Sequence, residues 1–336
     1  MINLDIKFLS PAGALDAGLE FSDVYSHPAY GRSAEYVDFG VCEIAADIGT
    51  GISFTYIKRF INDTDEYDIV TPYGYGGLSN PQGCDRSALK FFRSAYLESS
   101  IGRGLIAEFL RLSPLDGDND VVSEGVDKVE FRTTFGSHVS DPAVEFGRTS
   151  TAHRGAVRKA IKNEVTVEEI DAAELVNPEG EFRRLYMESM ERLNARSGLR
   201  MPQGYYRALL ELPEGAVRLV HAVSESSVVA GAIFLLWGDR VHYHLSSAND
   251  VGRRLQATDL LLDFAVREFG GLPKTLHVGG GVEEGDGLEK FKRRATSAEF
   301  RMQLCSNVVN PARYSVLSEG FDGTSFFPAY RGSRNS

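Results

Sequence analysis

Three strand-like runs follow one another between Ala216 and Ser247. They are Ala216 to Val223, Val228 to Trp237 and Arg240 to Ser247, with Glu225-Ser226-Ser227 and Gly238-Asp239 as the turns. Runs this closely spaced pair as antiparallel neighbours, because a parallel partner needs a crossover of a dozen residues or more. The pattern then changes period. A helix is predicted from Arg254 to Phe269, closed by Gly270-Gly271 and Pro273. An apolar strand, Thr275 to Val278, runs into Gly279, Gly280 and Gly281, and a short basic helix carrying Phe291 and Lys292 follows. A last strand, Glu299 to Val308, leads to a polar tail. A meander that continues into helix, strand, helix and strand implies an α+β fold with a mixed sheet flanked by helices.

The first half shows a shorter version of this order. Tyr36 to Asp47 alternates through Val37, Phe39 and Val41 and reads as a strand, with Ile52 to Phe60 as its hairpin partner across Gly49-Thr50-Gly51. A strand from Asp68 to Thr71 ends in PYGYGG, Pro72 to Gly77. Ser87 to Ser99 reads as a helix with Leu89, Phe92 and Tyr96 on one side. Leu105 to Leu112 and Val129 to Phe135 are further strands, and SPLDGDNDVVSEG between them reads as a mobile acidic loop. Helices are then expected at Ser150 to Asn163, at Glu181 to Leu193 and at Gly204 to Glu211. Phe182, Leu185, Tyr186, Met190 and Leu193 form the apolar stripe of the second of these. Two α+β units in tandem account for both halves, although no repeat is visible residue by residue.

With 336 residues, 43% hydrophobic and 25% charged, the chain is an ordinary globular one with material for a large core. No apolar run reaches membrane-spanning length, and Met1 to Ser10 shows no signal-peptide pattern, so a cytoplasmic protein without a transmembrane segment is expected. Cys42, Cys84 and Cys305 are odd in number and far apart, which predicts free thiols. No HExxH motif is present; His242 and His244 lie two apart on a strand but lack further metal ligands at useful spacing. Residues 1–150 hold 12 Lys and Arg against 23 Asp and Glu, whereas residues 151–336 hold 24 of each. A DNA-binding role is excluded, since it calls for a basic face; an anionic partner fits the second half better.

Four motifs carry chemistry. In PYGYGG, glycines let a ligand approach the backbone while tyrosines add flat faces and hydroxyls; the same residues also suit an aromatic turn packed on the core. Arg154, Arg158 and Lys162 share a helical face, with Lys159 beside them, and could bind phosphate, remain solvated, or pair with the acidic first half. HYHLSS, His242 to Ser247, has one polar face, so its imidazoles and hydroxyls either line a cleft or belong to a half-exposed strand. A lysine at 292, fixed by packing beside a glycine turn, is suited to stabilising negative charge on an acyl oxygen, although Lys290, Arg293 and Arg294 make a solvated basic helix the plainer alternative.

Taken in order, PYGYGG, HRGAVRKAIK (His153 to Lys162), YHLSSAND (Tyr243 to Asp250) and LHVGGG followed by LEKFK resemble the Fem family of non-ribosomal peptidyltransferases over residues 36 to 305. The wider group includes GNAT-like bacterial acyltransferases. The resemblance implies two tandem GNAT-like domains, at 1–148 and 149–305, with residues 306–336 packing back on the first. It also implies transfer of an amino acid from aminoacyl-tRNA to an amine, often on a peptidoglycan precursor. On this likeness Lys292 is the catalytic residue beside the ester carbonyl. Substrate contacts fall to Tyr73, Gly74, Tyr75, Gly76, Gly77, Arg154, Arg158, Lys159, Tyr243, His244, Ser246, Gly279, Gly280, Gly281 and Phe291. The chain lacks the long helical hairpin of some larger members, which limits tRNA contact to the acceptor end.

The expected reaction is attack of an acceptor amine on an activated acyl ester. Lys292 would stabilise the oxyanion, an effect worth about 3–4 kcal/mol. The glycines at 279–281 and the Tyr73/Tyr75 loop would position substrates, and Asp259, Asp286 and His244 are the candidate bases. No cofactor is required beyond the acyl donor. The rival donor is an acyl-CoA thioester, for which Val251 to Ala257 stands where a pyrophosphate loop would be, only degenerately matched. The acceptor is an amine on a small molecule, a peptidoglycan precursor or a glycan. A non-catalytic binding protein on the same fold is the reading from another class.

Overall fold

The computed structural model describes residues 4–62, 64–195, 199–323 and 326–334. The chain divides into two units, Met1–Arg132 with Met302–Ser336, and Thr133–Arg301. The first unit opens with β1 (Ile6–Leu9), α1 (Pro11–Asp16), α2 (Pro28–Asp38), β2 (Val41–Asp47) and β3 (Ile52–Phe60). It continues through β4 (Tyr67–Val70), β5 (Leu78–Ser79), α3 (Arg86–Gly102), β6 (Leu105–Leu112) and α4 (Asn119–Ser123). Then β7 (Lys128–Val139) leads into the second unit, with α5 (Pro142–Arg148), α6 (Thr151–Lys162), β8 (Thr166–Ile170), α7 (Glu181–Arg192) and α8 (Gln203–Leu209). There follow β9 (Val217–Ser224), β10 (Ser227–Trp237), β11 (Arg240–Ala248), α9 (Asp250–Leu255), α10 (Ala257–Glu268), β12 (Lys274–Gly279) and α11 (Gly287–Ala295). Finally β13 (Ala298–Val308) returns to the first unit, where α12 (Pro311–Leu317) follows.

In the first unit the strands run in the order β1-β2-β3-β4-β6-β13, with β5 beside β3. Strands β4 and β6 are parallel neighbours there, and the other named pairs are antiparallel. Asp85 caps α3 by accepting from the Ala88 amide. Leu89, Phe92 and Tyr96 of α3 join Phe54, Tyr56 and Leu110 of the sheet in one apolar cluster. A buried ion pair joins α3 to β6 in this unit. Arg93 grips the Glu108 carboxylate with both terminal nitrogens, and Asn307 donates to the same carboxylate at 2.9 Å. Helix α3 and strands β6 and β13 therefore meet at a single buried charge.

In the second unit the order is β7-β12-β11-β10-β9-β8, with β11 and β12 parallel and the other neighbours antiparallel. The two faces of the sheet are covered by different helices. A Cβ on Gly231 would lie 2.9 Å from the Phe182 ring of α7, whereas the next residue, Ala232, belongs to the core that Leu261, Leu262 and Ala265 of α10 share. The meander predicted from Ala216 to Ser247 stands, and so do the helices around 151–162 and 181–192.

Four sequence expectations need correction. Tyr36 to Gly40 is not strand: α2 runs to Asp38, Phe39 turns left-handed at φ 55°, and β2 starts at Val41. The alternation of Val37, Phe39 and Val41 crosses that turn, so its period is accidental. The acidic stretch from Ser113 to Gly125 contains α4, whose Val121 and Val122 are buried in the first core. The long helix from Arg254 is two helices, because Gln256 adopts φ 63° between α9 and α10. Asn249 starts α9 early by accepting from the Gly252 amide, and Gly252 fits only without a side chain, as a Cβ would stand 2.2 Å from the Val229 carbonyl oxygen. The polar tail contains α12.

Candidate active site

Strand β12 ends at Gly279 with φ 73°, a conformation that favours glycine. Gly280 and Gly281 owe their lack of side chains to close neighbours. A Cβ on Gly280 would stand 2.8 Å from the Thr133 carbonyl oxygen, and one on Gly281 would stand 2.7 Å from Asp286 Oδ1. Asp286 caps α11, accepting from the amides of Val282, Glu283 and Glu289 at 2.6–3.0 Å. Those backbone donors hold its carboxyl below the usual range. One turn further on, Lys292 donates from Nζ to the Gly280 carbonyl at 2.8 Å. Burial lowers its pKa from 10.5 to about 8, with the Asp286 carboxylate pulling the other way. A half-buried ammonium is thus fixed against a backbone carbonyl at the end of a strand, still protonated at neutral pH. Phe291 packs against the apolar core of the same unit.

Arg294, two residues beyond Lys292, reaches a different partner. Its Nη2 donates to Asp259 Oδ2 at 2.7 Å, and the other oxygen of Asp259 lies 2.8 Å from His153 Nδ1. Asp259 is 2% exposed and belongs to α10, while His153 belongs to α6. Sequence reasoning missed this triad. The i, i+4 rule finds partners within one helix, and these three residues come from three helices.

The candidate bases are otherwise engaged. Asp259 is held as described, and Asp286 is a helix cap. The ring of His244 stacks on Tyr205 at 6.2 Å and its Nε2 meets the Tyr205 hydroxyl; burial, followed by the neighbouring His242, lowers its pKa to about 3. His244 also occupies a β-bulge. Tyr243 opposes Phe234 and Leu245 opposes Ile233, which leaves His244 as the extra residue. The bulge brings Tyr243 and Ser246, partners of Phe234 and Ala232, to one face of the sheet. Burial pushes the Tyr243 hydroxyl pKa up, and Ser246 opposes that shift. His242 and His277 meet edge to face at 5.9 Å, and His277 Nε2 lies 2.9 Å from the Thr134 hydroxyl.

The basic face of α6 separates into two kinds of residue. Arg154 turns back to the carbonyls of Gly147 and Thr149 and to the Thr151 hydroxyl. Arg158, Lys159 and Lys162 are exposed. In the first unit, PYGYGG is docked on its surroundings. The Tyr73 carbonyl accepts from Tyr30, the Tyr75 ring meets Tyr25 edge to face at 5.4 Å, and Gly76 exchanges backbone bonds with Arg111 and Ser113. Gly74 and Gly77 have φ 96° and 141°, and a Cβ on them would stand 2.8 Å from Tyr25 and 2.5 Å from Asn119. Tyr73 and Tyr75 remain half-buried. Cys42, Cys84 and Cys305 are free thiols. Among the described residues no cluster of His, Cys, Asp and Glu is arranged to hold a metal ion, and no helix is long and apolar enough to cross a membrane.

Residues 149–293 match the acetyltransferase (GNAT) domain family, a span that closes just past Lys292. FemX, in its crystal structure, is similar over 93% of this chain and 99% of its own, with a TM-score of 0.66 at 12% identity. The C-terminal domain of a putative lysylphosphatidylglycerol synthetase from Agrobacterium fabrum is similar over 90% of this chain and 93% of its own, with a TM-score of 0.57 at 13% identity. L-PGS from Bacillus licheniformis is similar over 86% of this chain and 93% of its own, with a TM-score of 0.50 at 12% identity. No curated protein matches the chain by sequence. Fold and domain match together define the class: an acyltransferase on the Fem and GNAT fold, with mixed sheets flanked by helices.

Proposed function

We propose that the protein forms an amide bond by transferring an aminoacyl group from the acceptor end of aminoacyl-tRNA to an amine. Residues 149–305 form the catalytic half in this reading. The observation that carries it is Lys292, a partly desolvated ammonium anchored at the Gly280 carbonyl. The acceptor nitrogen attacks the ester carbonyl, negative charge gathers on the carbonyl oxygen, and the Lys292 ammonium stabilises it where water is scarce. The tRNA ribose oxygen then leaves with a proton. The three candidate bases are all engaged elsewhere, so the acceptor amine enters neutral and loses its proton to the leaving oxygen or to water.

The state of the segment before α10 favours an ester donor. A CoA pyrophosphate is normally cradled by open backbone amides at a helix start. Here Val251 to Leu255 is helix α9, and the amides of Gly252, Arg253, Gln256 and Asp259 already bond within the chain. Exposed Arg158 and Lys159 on α6 supply the positive charge for phosphates of the donor. The name of lysylphosphatidylglycerol synthetase and the resemblance of the motifs to the Fem family support an acceptor in the cell envelope. A second reading keeps the site and changes the donor to an acyl-CoA; the acetyltransferase family match over 149–293 favours it.

Incubation with a pool of charged tRNAs and, separately, with acyl-CoAs, followed by mass spectrometry of what is deacylated, separates the two donors. Lys292→Ala should lower kcat with the accepted donor by about 10²–10³-fold, the loss seen on removing an oxyanion donor. Full transfer activity in that variant refutes the role given to Lys292, and deacylation of neither donor class refutes acyl transfer from these donors.

A further inference from the structure

Helix α11 has a thin grip on its unit. Of its nine residues only Ala295 is buried, and Phe291 is partly so. A helix this shallow is not oriented by apolar packing alone, so its polar ties decide where Lys292 points. Two of them meet at its C-terminal end. The Arg294 carbonyl accepts from the Ser150 amide at 3.1 Å, which joins α11 to the capping residue of α6. The Arg294 guanidinium reaches into the unit to Asp259, whose other oxygen is held by His153 of α6.

We infer that Asp259 is a positioning residue: by gripping Arg294 and His153 at once, it sets the orientation of α11 in which Lys292 faces the Gly280 carbonyl. The carboxylate is 2% exposed, so it is tolerable only with both partners in place. Lys292 and Arg294 diverge from one helix turn to Gly280 on one side and Asp259 on the other. Those two anchors belong to different elements, β12's glycine end and α10, and together they fix the rotation of α11 about its axis. The inference rests on Lys292 standing in the acyl-transfer site.

Its test reads the lysine without turnover. Trace labelling with acetic anhydride across pH 6–11, followed by peptide mass spectrometry, reports the protonation midpoint of Lys292. The proteins compared are wild type, Asp259→Asn, Arg294→Gln, Arg294→Lys and Arg293→Gln. Arg293→Gln removes the same charge one residue away, where Arg293 pairs with Glu289 and Glu299 at the surface. The expected midpoint is near 8 in wild type and Arg293→Gln. In Asp259→Asn and Arg294→Gln it rises by a pH unit or more as Lys292 swings into water, so that labelling at pH 8 falls at least about fivefold. Arg294→Lys restores most of it. The direction is diagnostic for Asp259→Asn, since loss of a nearby negative charge by itself moves a lysine midpoint down.

A midpoint that stays or falls in folded Asp259→Asn overturns the inference. If Asp259→Asn does not fold, Arg294→Gln decides when read against Arg293→Gln, which removes the same charge: a midpoint no higher than in that control overturns the inference. Full transfer by Lys292→Ala, by contrast, removes the catalytic reading of the lysine and leaves the clamp intact.

Discussion

Replacing Lys292 by methionine should flatten one limb of the stability–pH curve. Lysine 292 titrates near 8 in the folded chain, against an ordinary 10.5. Between those values the unfolded chain still holds the proton that the folded chain has released, so stability rises with pH across that window and is lowest below pH 8. On these midpoints the gain between pH 7 and pH 9.5 is about 2 kcal/mol. Residual contact of the side chain with water reduces it to roughly 1–2 kcal/mol. Methionine keeps the stem and carries no charge, so Lys292→Met loses this rise. Lys274, which burial also lowers to about 8, contributes the same slope to both proteins and cancels in the difference. At pH 7 the variant escapes the cost of the desolvated ammonium but leaves the Gly280 carbonyl without its donor, a loss of about 1–3 kcal/mol. The two nearly offset, so the informative quantity is the slope rather than the stability at one pH. Urea unfolding of both proteins at half-unit steps from pH 7 to 9.5 measures it. Parallel curves would refute the claim that Lys292 is desolvated in the folded chain.

Two further outcomes follow from the same geometry. If the Lys292 ammonium stabilises the oxyanion, kcat falls as pH rises through about 8; a rate that instead climbs through that midpoint, followed with an acceptor already neutral at pH 7, would make Lys292 a base. In the first unit, Arg93→Met leaves Glu108 buried with Asn307 still donating to it and should cost about 3–5 kcal/mol in chemical denaturation, whereas Arg93→Met with Glu108→Leu recovers most of that. Equal losses in the single and double variants would show that the pair is not what holds α3 to β6.

Much of the secondary structure was legible in the residues, and for a local reason. The meander of β9, β10 and β11 is marked by two short turns. Helices α6 and α7 are marked by apolar spacing, with Ser150 as the cap of α6. What misled were stretches where a local pattern crosses a backbone kink. Val37, Phe39 and Val41 alternate through a left-handed turn, and the helical pattern around Arg254 conceals the break at Gln256. The buried side of α4 was hidden because two valines amid acidic residues carry too little periodicity to register.

The site divides in the same way. The run from Gly279 to Lys292 is one local motif, and its residue types already pointed to a strand end, a capped helix and a lysine beside glycines. Sequence determined which lysine is presented and why glycines precede it. It also left His244 and Asp259 as open candidates for a base. Tertiary structure gave both of them other partners. It stacked His244 on Tyr205, placed it in a bulge, and locked Asp259 between His153 and Arg294. Whether a carboxylate is a base or an anchor depends on which hydrogen-bonding groups stand within its reach. For Asp259 those groups lie 106 and 35 residues away along the chain, so only the folded arrangement of α6, α10 and α11 brings them together.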